Sequence, residues 1–179
     1  MGIGATIHTF DVQLADVDRG VYDELSFKVA QHPSETAAFM STRVLAYLLE
    51  HEEGIAFGDG LSGGDEPAVL VRDMTGALVA WIEVGAPEAE RVHRGSMAAE
   101  RCVVYTHRDP AKVAARWVGK RIHEAEAVRL VSFDAGFVDA LAATITRRTT
   151  MSFSVTEGVI YVEVGGTTLS TAIHERRAA

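Results

Sequence analysis

The 179-residue chain is 47% apolar and 23% charged, an ordinary composition for a globular protein that excludes a disordered chain. Its net charge of −8 argues against a surface coated with basic residues for nucleic-acid binding. One cysteine, Cys102, excludes an internal disulfide, and no apolar run reaches the roughly 20 residues of a membrane span. We therefore predict a single domain over residues 1–179 in the cytoplasm, with no leader sequence and no membrane partner.

Alternating polar and apolar residues open the chain. Residues 6–14 and 22–29 both alternate, and a turn at 16–20 separates them, which predicts a β-hairpin. Apolar residues then recur at helical spacing up to about Glu52, with Ser34 as the predicted N-cap.

The middle of the chain alternates between predicted strands and helices. A hairpin is expected from residues 68–72 and 77–84. Pro87 is then predicted to be the first residue of a helix that runs to about Arg101. The rest of this region is predicted as a strand at 102–105, a helix at 110–119 and a strand at 127–133. This order indicates an α/β fold with a mixed sheet flanked by helices, whose central strands are 79–84, 102–105 and 128–133.

The C-terminal part is predicted to return to strands. A helix at 136–143 precedes a hairpin of residues 151–155 and 159–164, and 169–173 adds a last strand. We therefore expect additional strands at both ends of the central α/β core.

Three acidic residues stand beside the second hairpin. Asp65 and Glu66 precede its first strand, and Glu83 lies near the end of its second strand, so pairing of the strands brings the carboxylates together. Oxygen ligands of this kind suit Mg²⁺ or Mn²⁺, which activates water and offsets phosphate charge. Alternatively, Glu83 is a strand-end acid paired with an arginine, and Asp65 and Glu66 lie in an exposed loop.

Basic residues follow the acids along the chain. Residues 1–90 contain 16 acidic and four basic residues, whereas 91–179 contain 13 basic and nine acidic residues. Arg91 and Arg94 lie three apart on one face of the next predicted helix, where they could clamp a phosphate or simply pair with surface acids. Arg43, in the first helix, either points back toward the acids or lies in solvent. We expect the acids of 1–90 and the bases of 91–101 to face each other across one groove.

Other chemistries have little support in the sequence. The histidines show no metal-ligand spacing, and there is no phosphate-binding glycine loop or nucleophile elbow. Cys102 lies in an apolar run and is interpreted as a buried hydrophobe.

An ordered set of segments resembles the YaeQ family along the whole chain. Its parts are His32-Pro33-Ser34-Glu35-Thr36 with Arg43, Asp65-Glu66-Pro67, Trp81-Ile82-Glu83-Val84-Gly85, Pro87 with Arg91, and Gly158-Val159-Ile160-Tyr161.

The resemblance implies a restriction-endonuclease-like core, the PD-(D/E)XK fold. In that fold a helix supplies an acid, one strand an Asp, and the next strand a Glu-x-Lys. The matching residues are Glu35, Asp65 (or Glu66) and Glu83, whereas Gly85 replaces the lysine. In some members of the fold a basic residue on the following helix takes over the role of the lysine. The resemblance implies that Arg94 or Arg91 is that residue here.

Two functions follow as hypotheses. The first is a Mg²⁺- or Mn²⁺-dependent phosphodiesterase that acts on nucleic acid, with Glu83, Asp65, Arg94 and Arg91 as its catalytic residues and Glu83, Asp65, Glu66 and Glu35 around the metal. The second is a non-catalytic module that binds a protein or nucleic-acid partner, because a fold does not fix a function.

Overall fold

The computed structural model describes residues 4–59 and 65–179 and has a mixed α/β fold. The sequence predicts a loop over residues 61–67, of which 61–64 lie outside the described residues. The strands are β1 (Thr6–Asp16), β2 (Val21–Gln31), β3 (Ile55–Phe57), β4 (Val69–Arg72), β5 (Leu78–Val84), β6 (Arg101–Tyr105), β7 (Arg129–Phe133), β8 (Arg148–Thr156), β9 (Val159–Val164) and β10 (Thr167–Arg177). The helices are α1 (Ala37–Leu49), α2 (Ala89–Ala98), α3 (Pro110–Ala115) and α4 (Phe137–Thr144), with a short 3₁₀ helix at Ala125–Ala127. None of the helices in the described ranges is long and apolar enough to cross a membrane.

The chain divides into two compact units. The first contains Met1–Val44 and Phe133–Ile173, and the second contains Leu45–Ser132 and His174–Ala179. Each unit is built on a mixed sheet.

The sheet of the first unit has the strand order β2-β1-β8-β9-β10. The predicted N-terminal hairpin is confirmed, because β1 and β2 pair antiparallel from Thr6↔Gln31 to Asp16↔Val21. Alternate residues of β1, namely Phe10, Val12 and Leu14, are buried on one face. This alternation is the pattern that the sequence shows, since successive side chains of a strand point to opposite faces.

The partner of β1 on its other side was not predicted. Strand β8 pairs parallel with β1, from Thr9↔Arg148 to Asp16↔Val155. The C-terminal strands follow as predicted, because β8 and β9 form a hairpin and β10 pairs antiparallel with β9.

The sheet of the second unit has the order β7-β6-β5-β4-β3. Strands β5, β6 and β7 are parallel neighbours, and β4 and β3 extend the sheet antiparallel. The three predicted central strands are therefore confirmed as adjacent strands of a mixed sheet, whereas the short β3 was not predicted.

One face of this second sheet carries a hydrophobic cluster. Helix α2 lies on it through Ala89, Val92 and Gly95. The sheet contributes Trp81, Cys102, Val104 and Leu130, and the α3 region contributes Val113 and Trp117. Trp117 Nε1 donates to the carbonyl of Pro87 at 3.0 Å, which fixes the entry to α2.

Two helix starts differ from the prediction. The predicted cap Ser34 is wrong, because α1 begins at Ala37 and the Thr36 hydroxyl accepts from the amide of Phe39 at 3.0 Å. Pro87 is likewise not the first helical residue, since α2 begins at Ala89 with Glu88 as its N-cap. Helix α2 also ends at Ala98, so that Arg101 opens β6 and does not close the helix. Both helices therefore begin two or three residues after the predicted start. A local sequence pattern does not fix the first helical residue more closely than this.

Gly95 is required by the packing of α2 on the sheet. A β-carbon at Gly95 would lie 2.4 Å from Cδ1 of the buried Trp81 indole.

We therefore expect Gly95→Ala to lower the free energy of unfolding in urea, because overpacking costs about 1–3 kcal/mol. Alanine's helix-propensity advantage over glycine recovers at most about 1 kcal/mol. Met97→Ala, an exposed change on the same helix, should stay within about 0.5 kcal/mol of the wild type. A more stable Gly95→Ala variant would contradict the packing.

Candidate functional site

Glu83 is a carboxylate buried on the face of the second sheet that α2 covers. It lies one residue before the end of β5, two residues from Trp81, and only 5% of it is exposed. Arg91, on the first turns of α2, donates from Nε to Glu83 Oε2 at 2.8 Å. The prediction that acids of the first half face bases of the α2 segment is confirmed for this pair.

The second oxygen of Glu83 has no hydrogen-bond partner in the part of the chain that the structure describes. Glu83 Oε1 and the indole Nε1 of Trp81 are both buried and unbonded within the described ranges. Burial raises the pKa of Glu83, and Arg91, with smaller effects from Trp81 and Arg94, opposes the rise. Trp81 favours the charged form of Glu83, although no hydrogen bond joins its Nε1 to Oε1, so Oε1 is buried without a bonded partner among the described residues.

Arg91 also positions the segment that contains Asp65 and Glu66. Its Nη2 donates to the backbone carbonyl of Glu66 at 2.7 Å, while its guanidinium carbon lies 5.8 Å from the centre of the Trp81 ring. The Asp65 side chain is exposed, and that of Glu66 is half-buried. One arginine therefore connects two of the three predicted acidic positions.

Gly58 lies against the backbone that follows these acids. The amide of Gly58 donates to the carbonyl of Ala68 at 2.9 Å. A β-carbon at Gly58 would lie 2.0 Å from the carbonyl oxygen of Pro67, so the two backbones approach too closely for any other residue.

Arg94 differs from Arg91, although both stand on α2. Its side chain is exposed, and its positive charge favours the ionised form of Glu83 through space. Arg91 is thus the direct partner of Glu83, and Arg94 extends the positive charge toward solvent.

Glu35, Arg43 and Ser34 lie in the first unit. The Glu35 carboxylate is bound at both oxygens by Arg43, from Nε to Oε2 at 2.6 Å and from Nη2 to Oε1 at 2.7 Å. Arg43 Nη2 also donates to the carbonyl of Ala30 at 2.8 Å. The Ser34 hydroxyl lies 2.8 Å from Nδ1 of His32. The alternative that places Arg43 in solvent is wrong, and the acid with which Arg43 pairs is Glu35 of its own unit.

Cys102 is the buried hydrophobe that the sequence predicts. Burial, with the negative charge of Glu83, raises the pKa of its thiol to about 12. The thiol is therefore protonated near neutral pH and is not a nucleophile.

A second polar network lies on the opposite face of the same sheet and was not predicted. It is centred on Glu50, which is 6% exposed and directly follows α1. The Tyr105 hydroxyl donates to Glu50 Oε2, and Arg129 Nη1 lies 3.3 Å from the same oxygen. Arg101 bonds to Glu50 Oε1 at 3.3 Å and to Glu52 at 2.6 Å.

Strand parity explains how this network assembles. Arg101 and Tyr105 are four residues apart on β6, and Arg129 pairs with Val103 on the neighbouring strand, so all three side chains share one face. Glu50 and Tyr105 raise the pKa of Arg129 despite its partial burial. The available sequence signal was that Arg101 and Arg129 each begin an apolar run. This signal places the two arginines on one face only once β6 and β7 are known to be parallel neighbours.

No three histidine, cysteine or acidic side chains gather into a metal-binding group within residues 4–59 and 65–179. The structure thus brings Glu83, Arg91 and the Glu66 backbone together, with Arg94 close by. Glu35 belongs to a separate ion pair in the first unit.

Comparison with known proteins identifies the family. Residues 1–173 match the model of the family described as YaeQ protein, so the chain belongs to that family. A relative in Escherichia coli (strain K12), "Uncharacterized protein YaeQ", is 28% identical over 167 residues, which is 90% of each chain. A relative of the same name in Salmonella typhi is 26% identical over the same length.

Two solved structures share the fold. The YaeQ protein from Xanthomonas axonopodis pv. citri superposes with a TM-score of 0.87 at 30% identity, covering 98% of this chain and 99% of that one. The YaeQ protein from Pseudomonas syringae gives 0.85 at 29% identity, covering 96% and 95%. The resemblance seen in the sequence motifs therefore identified the correct family.

Breaking the Glu35–Arg43 pair should strongly destabilise the protein. Both side chains are at most 2% exposed, and Arg43→Met leaves the carboxylate buried without its partner. We expect a loss of about 3–5 kcal/mol in urea unfolding. The double variant Glu35→Gln with Arg43→Met should recover part of it, because no charge is left buried. A loss below about 1 kcal/mol in the single variant would contradict the structure.

The raised pKa of Glu83 predicts a direction of pH dependence. The folded state holds the proton of Glu83 to higher pH than the unfolded state, in which the glutamate carboxyl has its ordinary pKa of 4.5. This contribution to stability is present below pH 4.5 and is lost as the pH rises through the folded pKa. Wild type should therefore lose stability relative to Glu83→Gln as the pH rises from 4.5, as measured by urea titrations at several pH values. A difference that is constant or grows in favour of wild type would refute this.

Proposed function

We propose that this member of the YaeQ family is a divalent-metal-dependent phosphodiesterase that acts on nucleic acid, with a divergent PD-(D/E)XK-like core. The observation that supports it best is the buried Oε1 of Glu83, which has no hydrogen-bond partner among the described residues. A desolvated carboxylate oxygen left open in this way is costly, and a cation is the ligand that it suits.

The backbone supplies a reason for the missing motif lysine. Gly85, at the lysine position, has φ of +98°, a conformation that L side chains rarely adopt. A lysine at this position would be strained, whereas Arg91 reaches the carboxylate of Glu83 from α2. In the proposal the guanidinium of Arg91 takes over the electrostatic role of the lysine, and it cannot act as a base because it stays protonated.

The donors that we propose for a Mg²⁺ or Mn²⁺ ion are Glu83 Oε1 with the carboxylates of Asp65 and Glu66, which would have to move together around the ion, because they do not form a group of three among the described residues. All are hard oxygen ligands, which these ions prefer. A bound ion would supply activated water and charge stabilisation at a phosphate. Glu35, which matches the helix acid of the motif, has both oxygens bonded by Arg43, so we assign it to orienting α1.

Arg91 and Arg94 would bind the phosphate. Arg91 is held in place by Glu83 and the Glu66 carbonyl, so its orientation is set before substrate arrives. Arg94 is exposed on the same helix and would contact the backbone of a nucleic acid through charge-assisted hydrogen bonds.

A binding module without catalysis is the second candidate. Two observations favour it: Arg91 already occupies Glu83 Oε2, and no group of three acids is assembled among the described residues. In that case Arg91 and Arg94 would bind a phosphate backbone, and Glu83 would only position Arg91.

Cleavage and metal binding together test the proposal. Wild type, incubated with Mn²⁺ or Mg²⁺ and labelled single- or double-stranded DNA and RNA, should cleave at least one substrate. Glu83→Gln should reduce the rate at least about 100-fold, in line with the loss of a group that stabilises the transition state. Calorimetric titration should detect Mn²⁺ binding to wild type that Glu83→Gln loses.

Glu126→Gln, an exposed acid on the 3₁₀ helix, serves as the matched control and should leave both measurements unchanged. Nucleic-acid binding without cleavage, weakened by Arg94→Gln but insensitive to Mn²⁺, would overturn the catalytic proposal in favour of the binding module. Cleavage that survives Glu83→Gln would overturn both the site and its mechanism.

A further inference from the structure

Strand β2 forms an edge of the first unit's sheet. It comes first in the strand order and pairs with β1 on one side, so its other side is an edge of the sheet that the structure describes. It is 11 residues long, which is longer than most strands. An edge of this length presents a row of backbone donors and acceptors that favours pairing with another strand.

We propose that β2 pairs antiparallel with β2 of a second copy of this chain, about a two-fold axis through Ser26. Ser26 is the midpoint of Val21–Gln31. The carbonyl of Ala30 already accepts a hydrogen bond from Arg43 Nη2 at 2.8 Å, so this register pairs residues 23–29 of each strand. The contact is isologous and closes into a dimer. It is independent of the proposed phosphodiesterase activity.

Charges on the outward face select this register. In an antiparallel pair centred on Ser26, Glu24 of each copy stands directly opposite Lys28 of the other, and both are exposed in the single chain. Opposite charges at directly facing positions stabilise a strand pair. The symmetry makes this contact twice.

The inward face agrees with the same register. Leu25 and Phe27, both half-buried, would face each other across the axis, again twice. Phe27 already stacks on Phe10 with ring centres 5.3 Å apart, so the new contact would extend an existing apolar cluster. Directly facing aromatic and aliphatic side chains are a favourable pair in sheets.

Neighbouring registers are worse on the same criteria. In an antiparallel pair the side chains of directly facing residues lie on the same face of the sheet. Each face of the joined sheet is therefore continuous only if the two-fold axis passes through a residue and not between two residues. An axis at Glu24 or Lys28 would place two like charges opposite each other. An axis at Leu25 would place Asp23 opposite Phe27, and an axis at Phe27 would leave Glu24 opposite Ala30.

A charge exchange tests the pairing. Analytical ultracentrifugation of wild type should give a concentration-dependent dimer. Glu24→Lys and Lys28→Glu should each weaken the dimer at least about tenfold, since each creates two like-charged contacts. The double exchange Glu24→Lys with Lys28→Glu should restore it. Circular dichroism identifies any variant that does not fold, and the double variant then decides the question.

A cross-link tests the axis itself. Ser26→Cys should form an intermolecular disulfide under mild oxidation, because the two sulfur atoms would meet at the two-fold axis. The native Cys102 is buried and does not compete. Thr150→Cys is the matched control: Thr150 lies in the same row of the exposed face but on β8, beyond β1, and should not cross-link.

A protein that remains monomeric at hundreds of micromolar, with no Ser26→Cys cross-link, would overturn the proposal and leave this edge to a strand of another protein. A dimer that is unaffected by both single charge changes and does not cross-link would overturn it equally, because the two copies would then meet elsewhere.

Discussion

The second unit is organised around a carboxylate that is withdrawn from water. Glu83 lies on an apolar sheet face under α2, and such a charge is tolerated only with a partner of opposite charge. Arg91 is that partner, and its Nη2 donates to the backbone carbonyl of Glu66. The requirement to pair one buried charge therefore fixes the rotation of α2 and the path of the chain before β4 together. Gly95 permits this arrangement, because only a residue without a β-carbon lets α2 approach the Trp81 indole.

The sequence predicts this fold well wherever a local pattern decides the structure. Alternation in β1 and β2, and apolar runs separated by helices in β5, β6 and β7, are sufficient to identify the elements and the parallel core. The pairing of β1 with β8 could not be predicted in the same way. These strands are more than 130 residues apart, and no short-range feature records which strands become neighbours. Helix starts were also misplaced, since Ser34 and Thr36 are equally good caps by chemistry and tertiary contacts choose Thr36.

The same distinction applies to the candidate site. Composition and position were sufficient to single out Glu83, the Asp65–Glu66 segment and the two arginines of α2. The sequence could not say which arginine bonds to Glu83, because Arg91 and Arg94 share a helix face and differ only in how they meet the sheet. The Glu50 network was missed for a related reason. Its members come from the end of α1 and from β6 and β7, and they meet only when strand parity places them on one face.

The Glu35–Arg43 and Glu83–Arg91 ion pairs differ in a way that bears on function. In the Glu35–Arg43 pair both carboxylate oxygens accept hydrogen bonds, which is the complete satisfaction that a purely structural pair requires. In the Glu83–Arg91 pair one oxygen is bonded and the other is buried without a partner among the described residues. Buried pairs contribute little net stability even when complete, because desolvation offsets their attraction. An incomplete pair is costlier still, so stability alone does not account for Glu83. The proposed cation would complete the coordination of Glu83, so the unbonded Oε1, more than the resemblance of the motif, makes this strand end the place to test for metal binding.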